Sequence, residues 1–238
     1  KIFFQNKDDR REFIDQGVVE AHLTDQLPGS GVDLERFAYS PIITTDHFSK
    51  IRNAQKQIRF LLLARMLWEK GVGEYVEAAR LLSGRYPFAE FCLLGFLDVQ
   101  NPLAISQAQM SEWASEGIVQ YLGESSDVRA EIVKADCVVL PSFYREGVPH
   151  ALLEAAAMGR PIITTDSVGC REVVDHGVNG YLCLPRDAID LSKKMECMLQ
   201  LDDAQRVEMG KCGREKVEHE FDEQIVIQKY LEAVKESL

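Results

Sequence analysis

The chain contains 238 residues, of which 46% are hydrophobic, and this is enough to bury a sizeable core. Acidic side chains outnumber basic ones by 38 to 27, giving a formal net charge of −11 that argues against a nucleic acid as partner. No apolar run reaches the roughly 18 residues that a membrane-spanning helix needs, so we expect none of its helices to cross a membrane.

The six cysteines are scattered along the chain, with neither a Cys-x-x-Cys pair nor a Cys/His group of zinc-binding spacing. Such a distribution predicts neither a metal site nor a redox pair. We expect the cysteines to be small apolar core residues in a reducing cytosol, and the protein to be cytoplasmic.

The first forty residues read as short, mixed elements. Residues 1–5 predict a strand, residues 7–16 a charged helix that ends at Gly17, and residues 18–27 an extended segment. A tight loop follows, Pro28-Gly29-Ser30-Gly31. Its glycines suit either a plain turn or a loop whose backbone a ligand approaches closely, and the residues alone leave both open.

A polar connection at 40–57 leads into residues 58–64, a continuous apolar run typical of a buried parallel strand. Arg65 and Lys70 flank the turn into an amphipathic helix predicted at 71–85. Two cations just beyond the carboxyl end of such a strand lie where open α/β sheets bind ligands. A pair of solvated surface charges is the alternative.

The next elements alternate in the same way. We predict strands at 89–94 and 118–122 and helices at 102–116 and 127–135, with a packed loop at 95–98. Tyr121 fits either a core aromatic residue with its hydroxyl at the rim or a residue beside a ligand.

The stretch PSFYREGVPHALLEAAAMGRPIITTD, at 141–166, predicts a strand end, a loop, a helix at 151–158 and the next strand. Glu146 precedes this helix and Glu154 lies about one turn inside it. Free amides at a helix N-terminus attract an anion, while carboxylates accept hydrogen bonds from hydroxyls. The pattern therefore suits a phosphate group with a sugar on either side. For Glu154, interaction with the helix dipole is the plainer alternative, and we assign no chemistry to His150.

The remainder predicts a turn at Asn179-Gly180, a strand at 181–184 and helices at 187–201, 202–220 and 221–238. Strands and helices alternate from residue 58 to residue 200. This order predicts an α/β fold with a Rossmann-like parallel sheet and helices on both faces.

Five sequence blocks resemble, in the same order, those of a known enzyme family. They are LPGSGVDLERF at 27–37, RFLLLARMLWEKG at 59–71, VQYLG at 119–123, EGVPHALLE at 146–154 and GCREVVDHGVNGYL at 169–182. EGVPHALLE resembles the Glu-x7-Glu signature of the retaining, group 1 (family 4-like) glycosyltransferases of GT-B fold. Several blocks are most similar to the bacterial branch that builds capsular, lipopolysaccharide and related surface glycans.

The resemblance implies a division of the chain. Residues 1–40 would be the end of an N-terminal, acceptor-binding domain and the crossing from it. Residues 41–220 would form the C-terminal, donor-binding domain, and residues 221–238 a helix that crosses back. With the acceptor domain absent, we expect the fragment to be inactive by itself and the apolar face of its last helix to be exposed or repacked.

The resemblance also implies roles for single residues. Arg65 and Lys70 would bind the donor diphosphate and neutralise the charge on the departing nucleoside diphosphate, while Glu146 would hold hydroxyls of the transferred sugar. Glu154 would bind the ribose. The remaining donor contacts would come from a loop beside the diphosphate, a segment near the base and the backbone after Glu146, namely Gly29, Ser30, Gly31, Tyr121, Leu122, Gly147, Val148 and Pro149.

The implied reaction moves a sugar, with retention, from a nucleotide sugar to an acceptor. The donor would be a UDP-sugar, and the acceptor a glycan or a polyprenyl-diphosphate-linked sugar met at the cytoplasmic face of the membrane, where the enzyme would associate peripherally. No Asp-x-Asp occurs, so we expect neither a metal ion nor a separate cofactor. A nucleotide-sugar epimerase of related fold and a non-catalytic nucleotide-sugar binding module remain as alternatives.

Overall fold

A computed structural model describes residues 1–42, 57–97 and 100–236 of the chain. Most of the polar connection predicted at 40–57, and the last part of the loop predicted at 95–98, lie outside the described residues.

A small N-terminal unit opens the chain. Strand β1 (Ile2–Phe4) pairs in parallel with β2 (Thr24–Gln26), and α1 (Lys7–Asp15) lies between them in sequence. Asn6 caps α1 by accepting a hydrogen bond from the Asp9 amide at 2.7 Å. The segment predicted as extended contains instead a 3₁₀ turn at Ala21–Leu23 immediately before β2.

A six-stranded parallel sheet forms the centre of the molecule. Its strands in chain order are β3 (Ile58–Leu63), β4 (Ala89–Leu94), β5 (Gln120–Tyr121), β6 (Cys137–Leu140), β7 (Ile162–Thr165) and β8 (Gly180–Cys183). In space the order is β5-β4-β3-β6-β7-β8, and every pairing is parallel. The predicted Rossmann-like α/β fold is confirmed.

Helices cover both faces of this sheet. They are α2 (Val72–Ser83), α3 (Gln107–Ser115), α4 (Arg129–Lys134), α5 (His150–Ala157), α6 (Cys170–Val173), α7 (Ala188–Gln200), α8 (Asp203–Glu220) and α9 (Glu223–Lys235). The short α6 was not predicted.

The alternation of side chains along β3 separates two hydrophobic cores. Phe60 and Leu62 pack into the core beneath α2, α3 and α7, whereas Leu61 and Leu63 pack into the core beneath α4, α5 and α8. Because both faces are buried, the strand consists of consecutive apolar residues, and it was predicted on that ground. Because all six strands are parallel, their carboxyl ends lie along one edge of the sheet.

Helix α3 begins five residues later than predicted. Leu103 O accepts the Trp68 amide at 2.9 Å and the Ile105 amide donates to Met66 O at 2.9 Å, so residues 103–105 run beside the segment that follows β3. Helix formation would withdraw these groups from that pairing. The helix starts only after Ser106, whose hydroxyl accepts from the Gln109 amide at 3.1 Å.

The cysteines only partly meet the prediction that all are core residues. Cys92, Cys137, Cys170 and Cys183 are buried, but Cys197 is exposed and Cys212 is half-buried. Burial raises the pKa of Cys92 to about 11 and that of Cys183 to about 12. None of the helices described here has the length and apolar character required to cross a bilayer.

Candidate functional site

The turn at Trp68–Lys70 fixes one side of the carboxyl edge of the sheet. It follows β3 as a single 3₁₀ turn and ends at Gly71, which adopts a φ of +75°. A Cβ on Gly71 would lie 2.2 Å from the Pro141 carbonyl oxygen, so only glycine fits here. The Glu69 carbonyl accepts the amides of Phe143 and Tyr144 at 3.1 and 3.3 Å. The turn is therefore fixed to the loop between β6 and α5.

Lys70 and Glu146 meet in this corner. The Lys70 ammonium donates to Glu146 Oε1, and each side chain is only 14% exposed. Ser142 Oγ lies 2.8 Å from the same oxygen, and the ammonium lies 5.8 Å from the centre of the Tyr144 ring. Because the pair is partly shielded from water, its mutual attraction exceeds that of an exposed pair. An anionic ligand at this edge would meet a lysine that is already held in place.

The backbone after Glu146 is packed on both sides. A Cβ on Gly169 would lie 1.7 Å from Gly147 O, and one on Gly147 would lie 1.9 Å from Gln5 Oε1. Asn6 Nδ2 donates to Glu146 O at 3.4 Å. The loop conformation thus depends on the absence of a side chain at Gly169, where the clash would be with backbone, and on contact with the N-terminal unit.

Helix α5 begins at this loop without a side-chain cap, since its N-cap residue is Pro149. The first amides of an α-helix have no intrahelical acceptor and carry partial positive charge, so this end attracts an anion. The 28–31 loop packs beside it. A Cβ on Gly29 would lie 2.8 Å from Val148 Cβ, and Ser30 Oγ lies 2.5 Å from His150 Nε2. A Cβ on Gly31 would lie 2.5 Å from the Cα of Glu223, so Gly31 packs against the start of α9 instead.

Glu154 is the fifth residue of α5 and is half-buried. Burial raises the pKa of its carboxyl above the ordinary value, and the positive charge of Arg36 partly opposes that rise. Its carboxylate accepts no hydrogen bond from a described residue. A half-buried, unsatisfied carboxylate one turn into the helix is suited to accept hydrogen bonds from ligand hydroxyls.

Arg65 and Tyr121 complete the edge around the ends of β3 and β5. Arg65 is exposed and forms no ion pair with the described residues. The Tyr121 hydroxyl donates to Gly95 O at 2.8 Å, and its ring packs against the core. Leu122 is half-buried, and its amide donates to Leu93 O at 2.8 Å. This arrangement supports the core alternative for Tyr121, and the predicted contact with a base stays a prediction.

The structure brings some predicted site residues into contact and separates others. Lys70 contacts Glu146, and Gly29 and Ser30 contact the start of α5. Arg65 lies just after β3, Tyr121 is the last residue of β5 and Glu154 lies inside α5; in the described structure their side chains form no hydrogen bond or ion pair with another predicted site residue.

Ser142 was missed by the sequence analysis, although a hydroxyl residue directly after the strand end at Pro141 was a usable signal. His150, to which we assigned no chemistry, is the partner of Ser30. Among the residues that the structure describes, no three His, Cys, Asp or Glu side chains converge as metal ligands.

A six-stranded parallel sheet with helices on both faces defines a Rossmann-like domain, and its carboxyl edge contains a lysine–glutamate pair and an uncapped helix N-terminus. Residues 44–216 match the family model described as glycosyl transferases group 1, and the chain belongs to this family.

Known proteins agree with this assignment. The chain is 35% identical over 203 residues to N,N'-diacetylbacillosaminyl-diphospho-undecaprenol alpha-1,3-N-acetylgalactosaminyltransferase of Campylobacter jejuni, covering 84% of this chain and 51% of that protein. It is 29% identical to the putative colanic acid biosynthesis glycosyltransferase WcaL of Escherichia coli, covering 82% of this chain and 47% of that protein. The chain therefore spans about half the length of these relatives.

A solved structure shows the same fold. The crystal structure of Anabaena Alr3699/HepE in complex with UDP superposes with a TM-score of 0.81 at 21% identity, covering 99% of this chain and 63% of that chain.

Proposed function

We propose that this chain is the donor-binding part of a retaining glycosyltransferase that acts in bacterial surface-polysaccharide synthesis. The contact between Lys70 and Glu146 beside the uncapped start of α5 carries this proposal. It places a cation, a carboxylate and free amides within one corner of the sheet edge.

The charges in this corner suit the diphosphate of a nucleotide sugar. Lys70, Arg65 and the first amides of α5 would hold the phosphate oxygens and neutralise the charge that grows on the nucleoside diphosphate as it leaves. A charge-assisted hydrogen bond of this kind contributes about 1.5–3 kcal/mol. Glu146, which Lys70 holds in place, would accept hydrogen bonds from hydroxyls of the transferred sugar.

The half-buried carboxylate of Glu154 would bind the ribose hydroxyls. UDP is the donor nucleotide that we propose, and the UDP bound by the structural relative supports that choice. Other donor contacts would be made mainly by backbone, with Tyr121 and Leu122 near the base. The backbone contributors are Gly29, Ser30, Gly31, Gly147, Val148 and Pro149.

The domain division predicted from sequence becomes part of this proposal. Residues 41–220 would bind the donor, whereas residues 1–40 and 221–238 would connect to an acceptor-binding domain. Its support is the length of the relatives, of which this chain spans about half. A second support is the exposed apolar surface of α9, which includes Ile227, Tyr230, Leu231 and Val234.

The name of the Campylobacter relative includes an undecaprenol diphosphate, and on that basis we propose a lipid-linked sugar or glycan as the acceptor. The enzyme would then work at the cytoplasmic face of the membrane as a peripheral protein. Sedimentation of the extended protein with membranes would test this location, and transfer solely to water-soluble acceptors would contradict it.

Calorimetric titration with UDP and with UDP-sugars tests donor binding directly. Lys70→Met keeps the aliphatic stem but removes the charge, and we expect UDP affinity to fall roughly ten- to hundredfold. Glu154→Ala removes the ribose acceptor and should weaken UDP to a similar degree. Thermal unfolding of each variant would verify that it remains folded.

Matched controls lie on the exposed face of α8, where Lys211 and Glu215 form an ion pair of 3.6 Å. Lys211→Met and Glu215→Ala should bind UDP as the unaltered chain does. Equal UDP affinity in Lys70→Met, Glu154→Ala and these controls would contradict a donor site at this edge. Transfer assays on a chain extended to the length of its relatives would distinguish a transferase from a binding module or an epimerase, and analysis of the product anomer would test retention.

A further inference from the structure

A cavity of about 560 Å³ lies beside Trp68, and neither Lys70 nor Glu146 is among the residues that line it. One face of α2 and one face of α3 form its walls, and the residues that precede α7 close one end. Its lining includes Trp68, Gly73, Glu74, Glu112, Trp113 and Arg186. None of them belongs to the donor site proposed above.

An exposed indole forms the flat wall of this cavity. Trp68 is 41% exposed, and its ring meets the buried Trp113 edge to face, with centroids 5.6 Å apart and an interplanar angle of 82°. A Cβ on Gly73 would lie 2.9 Å from Trp68 Cζ3, so glycine at this position lets the indole lie directly against α2. Trp68 is thus supported from two sides while much of it remains open to solvent.

Polar groups with free hydrogen-bonding capacity surround the indole. The half-buried carboxylate of Glu74 has no partner among the described residues, and Glu112 accepts one hydrogen bond from Gln109 Nε2 at 3.0 Å. Arg186 forms no ion pair in the described structure. Its guanidinium lies 4.4 Å from the centre of the Phe143 ring, and its backbone has a φ of +59°.

Arg80, in contrast, is fully engaged. It donates to Glu77 and also to both carboxylate oxygens of Glu116. The side chains available to a ligand are therefore one aromatic face, two carboxylates and one guanidinium.

We propose that this cavity binds a neutral pyranose unit of a glycan, at a site separate from the donor cleft. A pyranose presents an apolar face of C–H groups, which packs on an indole, and a rim of hydroxyls, which donate to carboxylates and accept from a guanidinium. The lining contains three carboxylates, of Glu74, Glu77 and Glu112, against two guanidinium groups, of Arg80 and Arg186. This balance disfavours an acidic sugar.

The chain itself provides a selective readout. Its two tryptophans are Trp68 and Trp113, so intrinsic tryptophan fluorescence reports on this cavity. We expect cellotriose, maltotriose or N,N',N''-triacetylchitotriose to change the emission saturably, with half-saturation at roughly millimolar concentration. A digalacturonate probe and choline are negative controls, chosen because the former is acidic and the latter fits an aromatic–carboxylate cation site.

Two variants separate recognition from folding. Glu74→Ala, on the surface of a helix that favours alanine, should weaken sugar binding roughly tenfold, because a charged hydrogen-bond acceptor is lost. In Trp68→Ala the emission comes from Trp113, and we expect sugar to cause no change in it. Glu215→Ala is the matched control, and its response should equal that of the unaltered chain.

The donor site can be tested independently in the same samples. Glu74→Ala should leave the calorimetric affinity for UDP unchanged, and Lys70→Met should leave the response to sugar unchanged. Absence of UDP binding would therefore remove the proposed donor site without affecting this one. Failure of all three neutral sugars at about 20 mM, a response to choline or digalacturonate alone, or equal sugar affinity in Glu74→Ala would overturn the sugar-binding proposal.

Discussion

The two sides of the Trp68–Lys70 turn are built in different ways. On the Lys70 side, the shape depends on close backbone approaches at Gly71 and Gly169 and on hydrogen bonds that the Glu69 carbonyl accepts. On the Trp68 side, the shape depends on side chains that stand on separate helices. Backbone-built sites leave glycines and short motifs in the sequence, whereas sites built from side chains of distant elements leave no local pattern. Lys70, Glu146 and Gly147 were accordingly singled out from the sequence, whereas no residue of the second side was.

Gly169→Ala should have the largest effect, because it tests the backbone-built side. The new Cβ would lie 1.7 Å from Gly147 O, at a residue whose φ is +81°. The positive φ alone costs about 1–2 kcal/mol, and the overpacking adds about 1–3 kcal/mol. Urea unfolding should show this loss, and UDP affinity should fall because the loop after Glu146 must move.

Gly177→Ala is the matched control for that experiment. Gly177 has the same φ of +81°, but a Cβ there would meet no atom within 4 Å. It should show only the cost of the positive φ, about 1–2 kcal/mol, and should bind UDP normally. Similar losses in the two variants would mean that contact with Gly147 does not determine the loop.

Gly73→Ala should have an intermediate effect and tests the side built from side chains. Alanine gains about 1 kcal/mol of helix propensity over glycine, but its Cβ would displace the Trp68 indole, so we expect little net change in stability. The tryptophan emission should shift while UDP affinity stays within about twofold. Gly84→Ala adds a Cβ in open space at the end of α2, so it should change neither the tryptophan emission nor the UDP affinity. A large loss of UDP affinity in Gly73→Ala would show that the two sides are not separable.

Glu154→Gln should have the smallest effect on stability, with a defined dependence on pH. Burial raises the pKa of Glu154 above 4.5, so the folded chain holds this proton more tightly than the unfolded chain. Protonation of Glu154 therefore increases the free energy of unfolding. This increase is complete below pH 4.5 and is lost as the pH rises from 4.5 through the raised pKa.

Glutamine mimics the protonated form of this side chain. The Tm of Glu154→Gln should therefore match that of the unaltered chain near pH 4 and exceed it slightly at pH 7, while UDP affinity falls. Glu215→Gln, which breaks an exposed ion pair, should leave the Tm at pH 7 equal or slightly lower. A lower Tm for Glu154→Gln at pH 7 would contradict a burial penalty at Glu154.

The sequence was most informative where local patterns determine structure. The apolar run of β3 predicted a strand buried on both faces, and the order of elements predicted the sheet. The composition of residues 141–166 correctly located the loop and α5, which begins and ends one residue earlier than predicted. That Lys70 would contact Glu146 directly followed from no local pattern, since 76 residues separate them in the chain.

Sequence reasoning failed where distant backbone segments compete. The predicted start of α3 was wrong because residues 103–105 pair with the segment after β3. Composition does not reveal this contact. The cavity was missed for a related reason. Trp68, Glu74, Trp113 and Arg186 come together only once α2, α3 and the start of α7 are assembled on the sheet.

The carbonyl of Glu69, and not its side chain, connects the turn to residues 143 and 144. Main-chain atoms are common to all amino acids, so the anchor persists whatever residue occupies position 69. The Trp68 indole packs elsewhere, against Trp113 and Gly73. The lysine and the exposed indole two residues before it can therefore be altered one at a time, because the turn that carries both is joined to that loop by an atom that belongs to neither.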